Sequence, residues 1–272
     1  MKKILFLCDA SDIDVVEQSF ARQDKYDLTI ETSEKILQFG VQPYLEQTIE
    51  RIRNNPDRAV YHPETNSFFY HAFPHSFAPH LRDKIETALK KLIPALGIDN
   101  SFFNVELRAD EEKQKFAIIE VNCRIAFQFA KTIESVTGTD PLHMLCDVAA
   151  GQRPEPIKTR RMTHGACYNF ELHLFHDARI LETPTQSAFE EIRLKYPEVH
   201  IRNLIHENAY LSDFKHNPES YRYAVIDVPG DSHEQIMEKY HHVVSMLGYR
   251  FSKALENGEV SGIVHETPPR RI

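Results

Sequence analysis

Residues 102–108, Phe-Phe-Asn-Val-Glu-Leu-Arg, and residues 116–124, Phe-Ala-Ile-Ile-Glu-Val-Asn-Cys-Arg, flank a charged stretch from Ala109 to Lys115. Two runs rich in β-branched and aromatic residues around a short polar connection predict an antiparallel hairpin. Its register follows from the apolar positions. Phe103, Val105 and Leu107 form one apolar face and Ala117, Ile119 and Val121 another; both are expected to enter the same core, because a slip of one residue would expose one set. The period of two then fixes the opposite face, where Asn104, Glu106 and Arg108 share a surface with Glu120, Asn122 and Arg124.

Two carboxylates and a carboxamide on one surface are hard oxygen donors. They suit Mg2+, which takes a few carboxylates and completes its octahedron with nucleotide phosphates and water. Arg124, one step further along, could clamp a phosphate or a carboxylate. A solvated hairpin also carries Glu and Asn on its wet face, so alternation alone leaves both a metal site and a plain polar surface open.

Working outward, Pro79 opens a helix whose Leu81, Ile85, Ala88, Leu89, Leu92 and Leu96 recur at amphipathic spacing, with Gly97 at the position of a left-handed cap and Pro94 distorting the last turn. Two more helices carry start and stop signals: Asp140-Pro141 to Gly151, and Ser232 with Gln235 as a capping box through to Gly248. Between them, 166–175, 199–205 and 222–228 read as strands, and short strands are expected near Ala59–Tyr61 and Phe68–His71. The opening reads strand, helix, strand: Ile4 to Cys8, then Ile13, Val16 and Phe20 on one helical face, then Leu28 and Ile30. Residues 34–53 read as helical and end in Asn54-Asn55-Pro56, the best boundary signal in the chain. The tail from Glu259, with Thr267-Pro268-Pro269-Arg270-Arg271, reads as unanchored and disordered.

The runs Asn104-Val105-Glu106, Ile118-Ile119-Glu120-Val121-Asn122-Cys123-Arg124, Thr137-Gly138-Thr139-Asp140-Pro141-Leu142 and Gly151-Gln152-Arg153-Pro154 resemble, in order and spacing, the final catalytic segment of the ATP-grasp superfamily. The resemblance extends upstream through Phe73-Pro74 and the 79–96 helix and downstream to about residue 250. It implies an α/β (α+β) fold: an ATP-grasp-like C-terminal half of mixed, largely antiparallel sheet and flanking helices over 56–258. A short βαβ-like segment over 1–55 precedes it and the tail 259–272 follows. It implies ATP and Mg2+ (or Mn2+) as cofactors, with Glu106 and Glu120 bridging metal to phosphates, Asn122 as a further ligand and Arg124 facing the acyl phosphate or substrate. The activity implied is ligation of a small-molecule carboxylate, activated as an acyl phosphate, to an amine or similar nucleophile.

Three departures from the family's pattern accompany it. The first 96 residues hold one glycine, Gly40, and Lys25 and Lys35 sit in no strand-and-loop context for cradling phosphate. Cys123 stands where proline is common after the asparagine. Ala126-Phe127-Gln128-Phe129 occupies a stretch where glycines are common. The rival expectation is therefore a non-catalytic nucleotide-binding or assembly protein on an incomplete ATP-grasp fold, with a second copy or a partner chain completing the site.

Composition bounds these readings. At 272 residues and 42% apolar content the chain can build a real core. A formal charge of −8 without a basic block argues against nucleic acid, and no apolar run approaches the roughly 18 residues of a membrane span. Cys8, Cys123, Cys146 and Cys167 form no Cys-x-x-Cys pair, which points to reduced thiols in a cytoplasmic protein. Other motifs carry less. His71 and His75 are separated by Pro74, which disfavours a helical metal pair, and His241-His242 read as solvent-facing. For His173 with His176 a structural role outweighs a metal site. Ser187, Ser220 and Cys167 have no base that spacing identifies, and Asp110-Glu111-Glu112 reads as a solvated turn.

Overall fold

In a computed structural model, residues 2–8, 26–32, 59–61, 68–74, 78–99, 101–154, 164–214, 220–253 and 260–262 are described. They fall into two units, one of residues 1–55 and 75–163 and the other of residues 56–74 and 164–272.

In the first unit, β1 (Lys2–Cys8) and β2 (Tyr26–Thr32) pair in parallel, as expected of a strand–crossover–strand opening. The helices read from sequence near residue 16 and over 34–53 lie outside the described residues. α1 (Pro79–Ala95) packs on a hairpin of β5 (Asn104–Asp110) and β6 (Lys115–Asn122), with Leu81, Ile85 and Ala109 as a small core and Leu89, Leu107 and Phe116 against it. The apolar stripe of α1 differs at its end. Ile93 is buried while Leu96 is 54% exposed, because the helix stops at Ala95 and the chain turns away through Gly97 at φ +69. At the other end Ala78 N–H, the first orphan donor of the helix, is taken by Glu111 Oε1 at 3.2 Å. The acidic turn thus does more than face water.

A single 3-10 turn (Phe127–Phe129) leads into α2 (Ala130–Thr137) and α3 (Pro141–Ala149). Asp140 caps α3, accepting from Leu142 N–H at 2.8 Å. It also lies 3.5 Å from Lys131 Nζ, which donates to Glu134 at 2.9 Å. All three charged residues are buried. α2 was not legible, since its eight residues bury Lys131, Thr132, Glu134 and Ser135 rather than an apolar stripe.

The second unit holds a five-stranded sheet in the order β3-β4-β7-β10-β9, built from β3 (Ala59–Tyr61), β4 (Phe68–Phe73), β7 (Ala166–Leu174), β9 (His200–Asn203) and β10 (Tyr221–Gly230). Its pairings are antiparallel. A three-stranded sheet, β12-β11-β8, joins β8 (Ile180–Glu182), β11 (Arg250–Lys253) and β12 (Val260–Gly262). The segment read as an unanchored tail from Glu259 therefore contains a paired strand over Val260–Gly262, matched to β11.

One face of the larger sheet carries Tyr70, Phe170 and Ile226 in a cross-strand row and packs on α4 (Gln186–Lys195) and α5 (His233–Leu247) through Ile192, Ile236, Tyr240, Val243 and Leu247. α4 is absent from the sequence reading because Ile192 is its one buried residue and Leu194 is 86% exposed. α5 opens almost as expected. Ser232 Oγ accepts from Gln235 N–H, but Gln235 Oε1 accepts from Asp231 N–H, one residue before the position a capping box requires.

Candidate metal and nucleotide site

The hairpin register places Asn104 opposite Asn122, Val105 opposite Val121 and Glu106 opposite Glu120. The carboxylates share a face as alternation required, and it is the face turned away from α1, since Leu107 and Ala109 point to the helix. Directly opposed side chains stand about 5 Å apart at Cβ. Glu106, Glu120 and Asn122 are each half-buried.

Register shifts between Glu106 and Leu107, leaving Ile119 as the extra residue of a β-bulge on β6. Beyond it Leu107 faces Ile118, Arg108 faces Ala117 and Ala109 faces Phe116. The expected apolar set Ala117, Ile119 and Val121 is corrected accordingly. Ala117 is exposed opposite Arg108, and Phe116 with Ile118 takes the helix-facing side. A bulge flips the alternation of one strand, and periodicity read from one strand at a time cannot detect it. It falls immediately before Glu120, so the carboxylate pair Glu106 and Glu120 is kept in register while the turn half of the hairpin is re-aimed.

Arg124 lies past the end of β6, in a bend, where strand alternation no longer positions it. It is exposed, and its Nη1 donates to the Ile125 carbonyl at 3.5 Å. Cys123 beside it is an exposed free thiol. Oxygen-only donors facing one another across two strands fit a hard divalent cation, and two like charges placed so close gain from one. Among the described residues no group of three or more His, Cys, Asp and Glu gathers as a metal site.

His242 and Ser220 resolve as structure, and His75 lies outside the described residues. His241 is exposed, but His242 is half-buried, with its Nδ1 2.7 Å from Tyr196 Oη and its Nε2 3.3 Å from Lys195 Nζ. Ser220 has a base beside it that spacing could not identify: its Oγ lies 2.6 Å from His173 Nδ1, and His173 Nε2 lies 3.3 Å from Glu171. A serine with 2% exposure is closed to substrate, so this Ser-His-Glu chain is a packing network and not a nucleophile. Only folding brings residues 47 apart into that contact.

Residues 65–156 match the family described as the carbamoyl-phosphate synthase L chain, ATP binding domain. No curated protein sequence matches the chain. Among solved structures, phosphoribosylglycinamide synthetase from Anaerococcus prevotii aligns at a TM-score of 0.56 and 18% identity over 71% of this chain and 47% of that one. An L-amino acid ligase from Bacillus licheniformis aligns at 0.52 and 16% identity over 67% and 46%. The biotin carboxylase domain of a thermophilic 2-oxoglutarate carboxylase, solved with bicarbonate, aligns at 0.51 and 16% over 71% and 42%. At these identities the likeness is one of fold, and the chain spans less than half the length of each of the three. Among the described residues no helix is long and apolar enough to cross a membrane.

Proposed function

With the chain a member of the ATP-grasp superfamily through residues 65–156, we propose that it is an ATP- and Mg2+-dependent ligase. It would activate a small-molecule carboxylate as an acyl phosphate for attack by an amine or similar nucleophile. The observation that carries this reading is the pairing of Glu106 with Glu120 and of Asn104 with Asn122 on the hairpin face away from α1. Glu106, Glu120 and Asn122 would hold Mg2+ or Mn2+ together with the nucleotide. When bound, the metal neutralises charge on the transferring phosphoryl group. Glu106 and Glu120 anchor it from opposite strands of a hairpin stiffened by its packing on α1. Arg124, exposed at the strand end, meets the substrate carboxylate or acyl phosphate, where a planar guanidinium offers two parallel donors.

A cytoplasmic setting is consistent with the dispersed cysteines, of which Cys123, Cys146 and Cys167 are thiols and not disulfides. The shortage of glycines before residue 97 favours a second copy or a partner chain contributing to the nucleotide clamp. Calorimetric titration with ATP, with and without Mg2+, tests the assignment. Wild type should bind ATP in a Mg2+-dependent manner and Glu120→Gln should lose that dependence; no binding at millimolar ATP would reject it. ADP release with a panel of acids and amines then separates a ligase from a non-catalytic nucleotide-binding protein.

A further inference from the structure

The face of the five-stranded sheet opposite its apolar core is charged and largely buried. Four strands contribute one row across it: His71 on β4 is opposite Asn169 on β7, Asn169 opposite Asp227 on β10, and Asp227 opposite His200 on β9. Asn169 donates to Asp227 at 2.8 Å and His200 lies 3.7 Å from it. Two residues along β7, Glu171 is met at one oxygen by His71 (3.7 Å) and at the other by Arg222 (3.1 Å) and His173 (3.3 Å).

Stability does not account for this arrangement. Burying ions costs several kcal/mol each, and apolar residues of similar volume serve as well or better, as they do on the other face of the same sheet. The gradation of exposure is informative. Glu171 is 6% exposed, whereas the side chains of His71 and Arg222 are 24% and 38% exposed. The acid lies beneath, and the imidazole and guanidinium lie toward solvent. From below, Ser220 Oγ lies 2.6 Å from His173 Nδ1 and His173 Nε2 lies 3.3 Å from Glu171, so the carboxylate is held in place beneath His71 and Arg222. A metal is disfavoured because the guanidinium already occupies the carboxylate, and among the described residues no group of three or more His, Cys, Asp and Glu gathers to hold one.

We propose that this face is a binding site for a small oxyanion, a carboxylate or phosphate group, met by Arg222 and His71, with Glu171 as the positioning residue beneath them. The proposal stands apart from the ligase reading: it concerns the second unit, and its test contains no nucleotide.

Calorimetric titration of the full chain at low salt, with malonate in one arm and inorganic phosphate in the other, should give saturable binding in at least one arm, and which arm saturates names the oxyanion. Arg222→Lys keeps the charge but not the fork. It should weaken binding about tenfold or more, equivalent to about 1.4 kcal/mol, at an unchanged melting temperature. In wild type, whose folding is not at issue, the saturating anion should shift the imidazole resonances of His71 and leave those of exposed His241 in place. No saturation in either arm, equal affinity in Arg222→Lys, or equal shifts at His71 and His241 would each overturn the proposal.

Discussion

If Glu106 and Glu120 face each other to hold a cation, removing one charge should make the metal-free protein more stable while destroying its response to metal. The register makes them direct cross-strand neighbours. Two carboxylates about 5 Å apart repel by about 1–3 kcal/mol for effective dielectric constants between about 80 and 20. Cross-strand pairs contribute a smaller net about 0.2–1 kcal/mol after solvent screening, and both residues are half-buried. Glu120→Gln keeps the shape and removes the repulsion, so a gain of about 0.5–1 kcal/mol follows, or about 1–3 °C in melting temperature for a chain of this size. The chain contains no tryptophan, so circular dichroism is the suitable probe. Adding Mg2+ and ATP should raise the wild-type midpoint by mass action and leave Glu120→Gln unmoved. A metal-free variant that melts below wild type would refute the account, as would an equal Mg2+-ATP shift in both proteins. A plain solvated hairpin predicts neither half of this pattern.

Three further outcomes follow from the geometry. Ile118→Ala should cost about 1–2 kcal/mol in urea unfolding while Ala117→Ser stays within about 0.5, because the bulge turns Ile118 and not Ala117 toward α1. Asp140→Ala should cost about 3 kcal/mol or more, since it removes the α3 cap and leaves buried Lys131 short of one of its two acids; Asp140→Asn, which keeps the cap oxygen, should cost less. For Glu171, burial works to raise its pKa, but the His173 hydrogen bond and the charges of Arg222 and His71 outweigh burial and hold it below the ordinary carboxylate range. Its stabilising contribution is therefore complete above the unfolded value of about 4.3 and is withdrawn as pH falls below that. Glu171→Gln should lower stability at neutral pH and flatten the acid limb of a stability-against-pH curve; an unchanged acid limb would refute this.

What the sequence determined by itself is local in origin. Period-two alternation in two short runs was enough to bring Glu106, Glu120 and Asn122 to one face, because a strand pair has only two faces and the apolar side chains claim one. The caps at Asp140, Gly97, Ser232 and Gly248 were legible for the same reason, as each satisfies backbone groups within a few residues of itself. Tertiary structure decided what depends on distant partners. The bulge at Ile119 appears only when β6 is laid against β5. Helix α4 follows from packing of Ile192 and not from a stripe of its own. The charged sheet face joins His71, Asn169, Asp227 and His200, which no window along the chain contains together, and a buried charge is tolerated only where folding has delivered its counterpart.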